Sequence, residues 1–151
     1  MPEIKSPETI PETNKVKIFL AGSIEMDTAE DWQHRVVEAL ADEPVILLNP
    51  RREHWHNDWK QSKDEPEFKR QVEWELDALA KSDRILMYFD PHSKSPISLL
   101  EMGLYAQSGK LLVVCPEGFW RKGNVDIVCD KYNVPQFSTL QELVAHVREM
   151  L

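Results

Sequence analysis

Two cysteines, five glycines and no long apolar run set the first limits on this 151-residue chain. Cys115 and Cys129 are too few for a disulfide framework or a cysteine-rich zinc site. The phosphate-cradling fingerprints are missing as well: no G-x-G-x-x-G follows the first predicted strand, and no G-x-x-x-x-G-K-[ST] occurs. Without a G-x-S-x-G elbow, serine hydrolysis has no motif to rest on. No apolar stretch is long enough to span a bilayer, and the opening Met1-Pro2-Glu3-Ile4-Lys5 lacks the apolar core of a signal peptide. A cytoplasmic protein with no membrane partner is expected. Positive charge is in deficit too. The formal net charge of -8 and the pI near 5.1, with no basic tract, argue against a nucleic-acid partner and for a small molecule.

What is present suffices for a core: 42% of the residues are hydrophobic and five are tryptophan. Residues 1–14, rich in Pro, Glu, Thr and Ser, read as a flexible tail, and residues 15–151 as one domain. Val16 to Leu20 is a short strand ending in Ala21-Gly22-Ser23, and a helix opens at Thr28 to Asp31. Val45 to Leu48 is a second strand, closed by Asn49-Pro50. A helix from about Glu67 to Lys81 follows, with Phe68, Val72, Leu76 and Leu79 as its apolar stripe. Arg84 to Phe89 and Leu111 to Cys115 are further strands, the latter continuously apolar as in the buried middle of a parallel sheet. A short strand around Pro135 to Phe137 leads into a C-terminal helix with a capping-box start at Ser138 to Gln141. Strands alternating with helices predict an α/β fold: an open parallel sheet of about five strands with helices on both faces. A ligand belongs at the C-terminal ends of the strands, where Gly22-Ser23-Ile24, Asn49 to Pro66 and Asp90 to Pro96 form the loops.

Glu101 stands out between the second and last of these helices. Ser95 is a good N-cap and Pro96 suits the first helical position, so Ile97, Glu101, Leu104 and Ser108 fall on one face, which is expected to look inward. A carboxylate there is either a partly exposed group beside the stripe or a desolvated acid poised for chemistry. Asp77 shares the side of its helix with Glu73, Trp74 and Lys81; it is either a surface charge with helical-spacing partners or a second acid that meets Glu101 across the sheet edge. Two carboxylates near one sugar are what glycosyl transfer through an oxocarbenium-like transition state requires. His54 and His56 lie on a loop without further ligand spacing, and no metal site is expected there.

The run from Asp77 to Leu86, the stretch from Ser95 to Gly103 with Glu101 followed by Met102-Gly103-Leu104, and the opening Phe19-Leu20-Ala21-Gly22-Ser23-Ile24 resemble the nucleoside 2-deoxyribosyltransferase family and its relatives that hydrolyse nucleotide N-glycosidic bonds. The likeness extends from about Val16 to Asn124. It implies a flavodoxin-like or Rossmann-like sheet, with Glu101 as the nucleophile on the anomeric carbon and Asp77 orienting sugar, nucleophile or base. It further implies that Asn124 reaches the site of a neighbouring subunit, which means a homo-oligomer, either a dimer or a dimer-based hexamer. Deoxynucleosides and nucleobases would be the partners, and no cofactor or metal is required. Trp55, Trp59 and Phe19 are candidates for stacking on the base, with core packing the alternative for Phe19.

One departure bears on substrate choice. The transferases carry Asp six residues before the nucleophile, where this chain has Ser95. Ser there is similar to the hydrolase branch, in which it helps hold a 5'-phosphate at a helix N-terminus. Against that branch, Glu25-Met26-Asp27 after the first loop is a poor neighbour for phosphate, and the nearby cations are Arg51 and Arg52, which acidic residues around Asp64 and Glu65 can equally engage. The expected activity is therefore deoxyribosyl transfer. The alternatives are a nucleoside or nucleotide hydrolase using the same Glu101, and a non-catalytic nucleotide-binding module.

Overall fold

The computed structural model describes residues 3–23, 31–52 and 60–151. Its strands, in chain order, are β1 (Glu3–Lys5), β2 (Val16–Gly22), β3 (Val45–Asn49), β4 (Arg84–Tyr88), β5 (Leu111–Val114) and β6 (Gln136–Phe137). The helices are α1 (Trp32–Ala39), α2 (Pro66–Lys81), α3 (Pro96–Tyr105), α4 (Lys122–Tyr132) and α5 (Leu140–Met150). The strands form one sheet in the order β1-β3-β2-β4-β5-β6, and every pairing is parallel. Among the described residues no helix is long and apolar enough to cross a membrane.

Period-two alternation divides the strand side chains between two cores. Phe19, Ala21, Ile85, Met87, Leu111 and Val113 face a layer of α2, α3 and α4, where Ala78, Leu79, Met102, Ala106, Val125 and Cys129 cover them. Ile18, Leu20, Leu86, Leu112 and Val114 face α1 and α5, with Trp32, Val36, Leu143 and Val147 opposite. Each fully buried large side chain here stabilises the fold by roughly 1.5–3 kcal/mol relative to its exposed state. Caps fix the ends of the two helices on that second face. Asp31 accepts a hydrogen bond from His34 N at 3.1 Å, and Thr139 accepts one from Glu142 N at 3.1 Å while Glu142 accepts from Ser138 N at 3.0 Å. Thr139 thus caps α5, one residue on from the predicted start, and Glu142 reaches back to the N–H of the residue before the cap.

Three expectations are corrected. The N-terminal residues read as a tail are built into the sheet: β1 pairs with β3, Ile10 lies in the core, and Trp74 Nε1 donates to the Glu8 carbonyl at 2.8 Å. The isolated Ile4 and Ile10 form no periodic pattern, yet backbone pairing and two apolar anchors hold the segment. Second, Gly123-Asn124, a residue pair that by itself reads as a turn, forms instead the first turn of α4, whose buried residues are Val125 and Cys129. Third, α2 and α3 are rotated from the predicted faces. On α2 the buried residues are Gln71, Glu75, Ala78 and Leu79, while Leu76 is exposed. On α3 they are Ser98, Glu101 and Met102, while Ile97, Leu100 and Leu104 point outward.

Candidate active site

Because all strands are parallel, their C-terminal ends share one edge of the sheet. Gly22 closes β2 there, opposite Tyr88 on β4, with φ at 130° in the region that favours glycine. A Cβ on it would collide with the Tyr88 carbonyl oxygen and stand 2.9 Å from the Trp32 ring. Close approach of backbone to backbone is therefore the physical reason for glycine at this position.

The next residue begins a buried cluster of hydroxyls. Ser23 Oγ accepts from Asp90 N at 2.8 Å and from Ser93 Oγ at 3.0 Å, Ser93 Oγ is 2.7 Å from Ser95 Oγ, and Ser23 and Ser95 are joined by a short hydrogen bond. All three serines are buried. Ser95 occupies the N-cap position of α3 with φ at 47°, and its hydroxyl is turned into this cluster instead of onto the helix N–H groups. That differs from the expected side-chain cap: Ser23 on another loop and Ser93 on its own loop hold the hydroxyl in place of the local N–H. Ser93, unremarkable in the sequence, is the member that ties Ser23 to Ser95.

α3 then delivers Glu101 into the layer above the sheet. Only 7% of Glu101 is exposed, and burial pushes its carboxyl up to about 7. Among the described residues it has no hydrogen-bond donor or ion-pair partner, so its desolvation is not compensated. The acid facing it is Glu75 on α2, which is pushed up to about 8, first by burial and then by the Glu101 charge, with a hydrogen bond from Gln71 acting the other way. Repulsion between the two carboxyls is reciprocal, so they titrate as a pair.

Asp77 is not that second acid. It lies two residues beyond Glu75, about 200° around the helix, and on that exposed side it pairs with Lys81 at 3.0 Å. Of the two alternatives for Asp77, the structure has the surface charge. The sequence signal for Glu75 was its helical spacing to Gln71 and to Ala78 and Leu79, a stripe in which two polar residues replace the expected Val72 and Leu76. Phe19 is fully buried in the core, packed on Trp74 with ring centroids 6.4 Å apart, which removes it as a stacking surface. Phe119 is likewise buried, against Phe89 at 4.8 Å, whereas Trp120 is exposed beside Lys94 and Arg121. Asn124 is exposed on α4. Arg51 bonds Gln33 and Asp31, and Arg52 pairs with Glu67 at 2.8 Å, so the acids these arginines meet are not Asp64 and Glu65. Trp55, Trp59 and the histidines at 54 and 56 lie outside the described residues, as does Ile24. Among the described residues no group of three His, Cys, Asp or Glu side chains is placed to hold a metal ion.

The chain is thus an open parallel α/β protein with a serine cluster at the carboxyl edge of its sheet and two buried carboxyls on the helices above it. Residues 15–119 match the family described as "Nucleoside 2-deoxyribosyltransferase like", and the chain belongs to that family. Among solved structures it is similar to a conserved protein from Enterococcus faecalis V583, at 15% identity and a TM-score of 0.66, with 91% of this chain and 99% of that chain covered. That likeness is one of fold. A comparison with curated proteins gives no match.

Proposed function

We propose that this protein cleaves the N-glycosidic bond of 2'-deoxyribonucleosides and transfers the sugar to another nucleobase through a covalent deoxyribosyl intermediate on Glu101. The observation that carries the reading is Glu101 itself, a buried carboxyl without a donor, facing a second buried carboxyl. Near neutral pH such a pair holds about one proton, and Glu75, pushed higher, keeps it. Glu101 is left ionised and poorly solvated, as a nucleophile needs to be. Its oxygen bonds to C1' as the C–N bond breaks, the electron pair leaves with the base, and the base takes up a proton from Glu75 directly or through water. A second base then attacks C1' through its ring nitrogen, gives that nitrogen's proton to Glu75 and expels the Glu101 carboxylate. Gly22 and Ser23 line the sugar end of this site, with Ser95 beside them. Trp55 and Trp59 remain the candidates for stacking on the base. In this reading the second acid is Glu75 and not Asp77.

Incubation of the protein with one deoxynucleoside and a different free base, followed by chromatography, tests the assignment. The exchanged nucleoside should appear only when the free base is added. Release of base at the same rate with and without acceptor, and no exchanged product, would replace transfer by hydrolysis. One observation favours that second reading: the three serine hydroxyls gathered at the start of α3 suit the oxygens of a 5'-phosphate. Engagement of Arg51 and Arg52 by Asp31 and Glu67 weighs against it. Faster turnover of monophosphates than of nucleosides, lost in Ser95→Ala, would decide for hydrolysis.

The reading includes a homo-oligomer. Leu76 on α2 and Ile97, Leu100 and Leu104 on α3 are 47%, 55%, 60% and 56% exposed, an apolar helical layer that a lone monomer leaves in water. Asn124, exposed on α4 in the same layer, is available to a neighbouring subunit. Inactive Glu101→Ala and impaired Asn124→Ala proteins, mixed after dissociation, should recover activity, because some shared sites then hold both native residues. No recovery in oligomers shown to be mixed would exclude the shared site.

A further inference from the structure

The N-terminal segment ends against the same helix that carries Glu75. Ser6, 4% exposed, donates its hydroxyl hydrogen to Gln71 Oε1 at 2.5 Å, and Ser6 N donates to the Asn49 carbonyl at 3.0 Å. Gln71, 5% exposed, donates from Nε2 to the Pro50 carbonyl at 2.9 Å and also hydrogen-bonds the carboxyl of Glu75 one turn further along α2. The amide is therefore fully used: its oxygen accepts from Ser6, and its two N–H groups serve Pro50 and Glu75. Reversing it would set its oxygen against the Pro50 carbonyl, which can only accept, so Pro50 fixes the orientation in which an N–H meets the carboxyl. Ser6 satisfies the oxygen on the other side of the amide and so holds its plane in place.

We propose that Ser6 and Gln71 are positioning residues of the site, through which the N-terminal segment holds the Glu75 carboxyl in place against Glu101. A hydrogen bond to a carboxylate favours its charged form, so this relay opposes the effect of burial and keeps the carboxyl pair titratable near neutral pH. Among the described residues Glu101 on α3 is the charged group acting on Glu75. The acids of the segment itself are held elsewhere, Glu3 by Asn49 and Glu8 by the Lys5 N–H, and Arg52 near the start of α2 is held by Glu67. The segment therefore acts through the amide and not through a charge of its own.

The test is a carbon-13 NMR titration of the protein with its glutamate carboxyls labelled, assigned with Glu75→Gln and Glu101→Gln. In Gln71→Met the upper apparent pKa of the pair should rise by about one unit, and in Ser6→Ala by a smaller amount in the same direction. Ser6→Thr, which keeps the hydroxyl, should titrate like the wild type. Curves for Ser6→Ala that superimpose on the wild type, or a Ser6→Thr curve that moves with Ser6→Ala, would overturn the relay. If Gln71→Met does not fold, the Ser6 pair decides the matter alone. A kinetic arm rests on the proposed transfer: the alkaline limb of kcat/KM, where Glu75 loses its proton, should move upward by the same amount while the plateau stays. Absence of any exchange reaction would remove the proposed function but leave the titration result standing.

Discussion

Glu101→Gln is expected to lower base exchange by more than about a thousandfold, because it removes the atom that forms the bond to C1'. The substitution keeps the shape of the side chain and replaces a buried acid with a neutral amide, so the fold should persist by circular dichroism and urea unfolding. Intact-mass measurement gives the sharper reading. Wild-type protein with a deoxynucleoside and no acceptor should carry one added deoxyribosyl group, mapped by digestion to the peptide containing Glu101. The same adduct formed by Glu101→Ala at the wild-type rate would place the nucleophile elsewhere.

The second large effect is on stability, and its sign follows from the direction in which burial moves the two acids. Both Glu75 and Glu101 titrate higher in the folded protein, at about 8 and about 7, than the 4.5 of an unperturbed glutamate. Between these limits the folded state holds more protons than the unfolded state, so stability is highest below about pH 4.5 with respect to this pair and falls as pH rises through 7 and 8. At about 1.4 kcal/mol for each tenfold change in proton affinity, the loss by pH 9 is on the order of 8 kcal/mol. Urea unfolding at pH 5, 7 and 9 should show the midpoint of the wild type falling across the range. The double variant Glu75→Gln/Glu101→Gln should lack that part of the fall and be the more stable protein at pH 9. Parallel pH dependence of the two proteins would mean that the pair is not desolvated in solution.

How much of the fold and site is legible in the sequence depends on what each element packs against. β2, β3, β4 and β5 are readable because inner parallel strands are apolar on both faces. Burial of Glu101 is readable only as one of two alternatives, because the face on which the pattern sets it, with Ile97 and Leu104, is the exposed one. The faces of α2 and α3 are misread because apolar periodicity marks the side that leaves water, and here Leu76, Ile97, Leu100 and Leu104 do not meet the sheet. From that misreading the wrong acid follows, since a helix turned by two residues exchanges Glu75 for Asp77. The serine cluster is half readable: Ser23 and Ser95 sit on expected loops, while Ser93 joins them through a loop conformation that no residue pattern encodes. β1 has no pattern to read, since three residues of strand are held by the neighbour they pair with and not by their own composition.

The two outermost strands are the shortest of the sheet, three residues in β1 and two in β6. An edge that brief offers an incoming strand very few unpaired N–H and C=O groups, and short edge strands are one way in which proteins resist strand-to-strand aggregation. With both flanks of the sheet blunted, self-association is steered away from open-ended β-addition, which propagates, and toward contact between helices, which can close on itself by symmetry. The few residues of β1 therefore cover one flank of the sheet, and removing them would expose the longer edge of β3 to other chains.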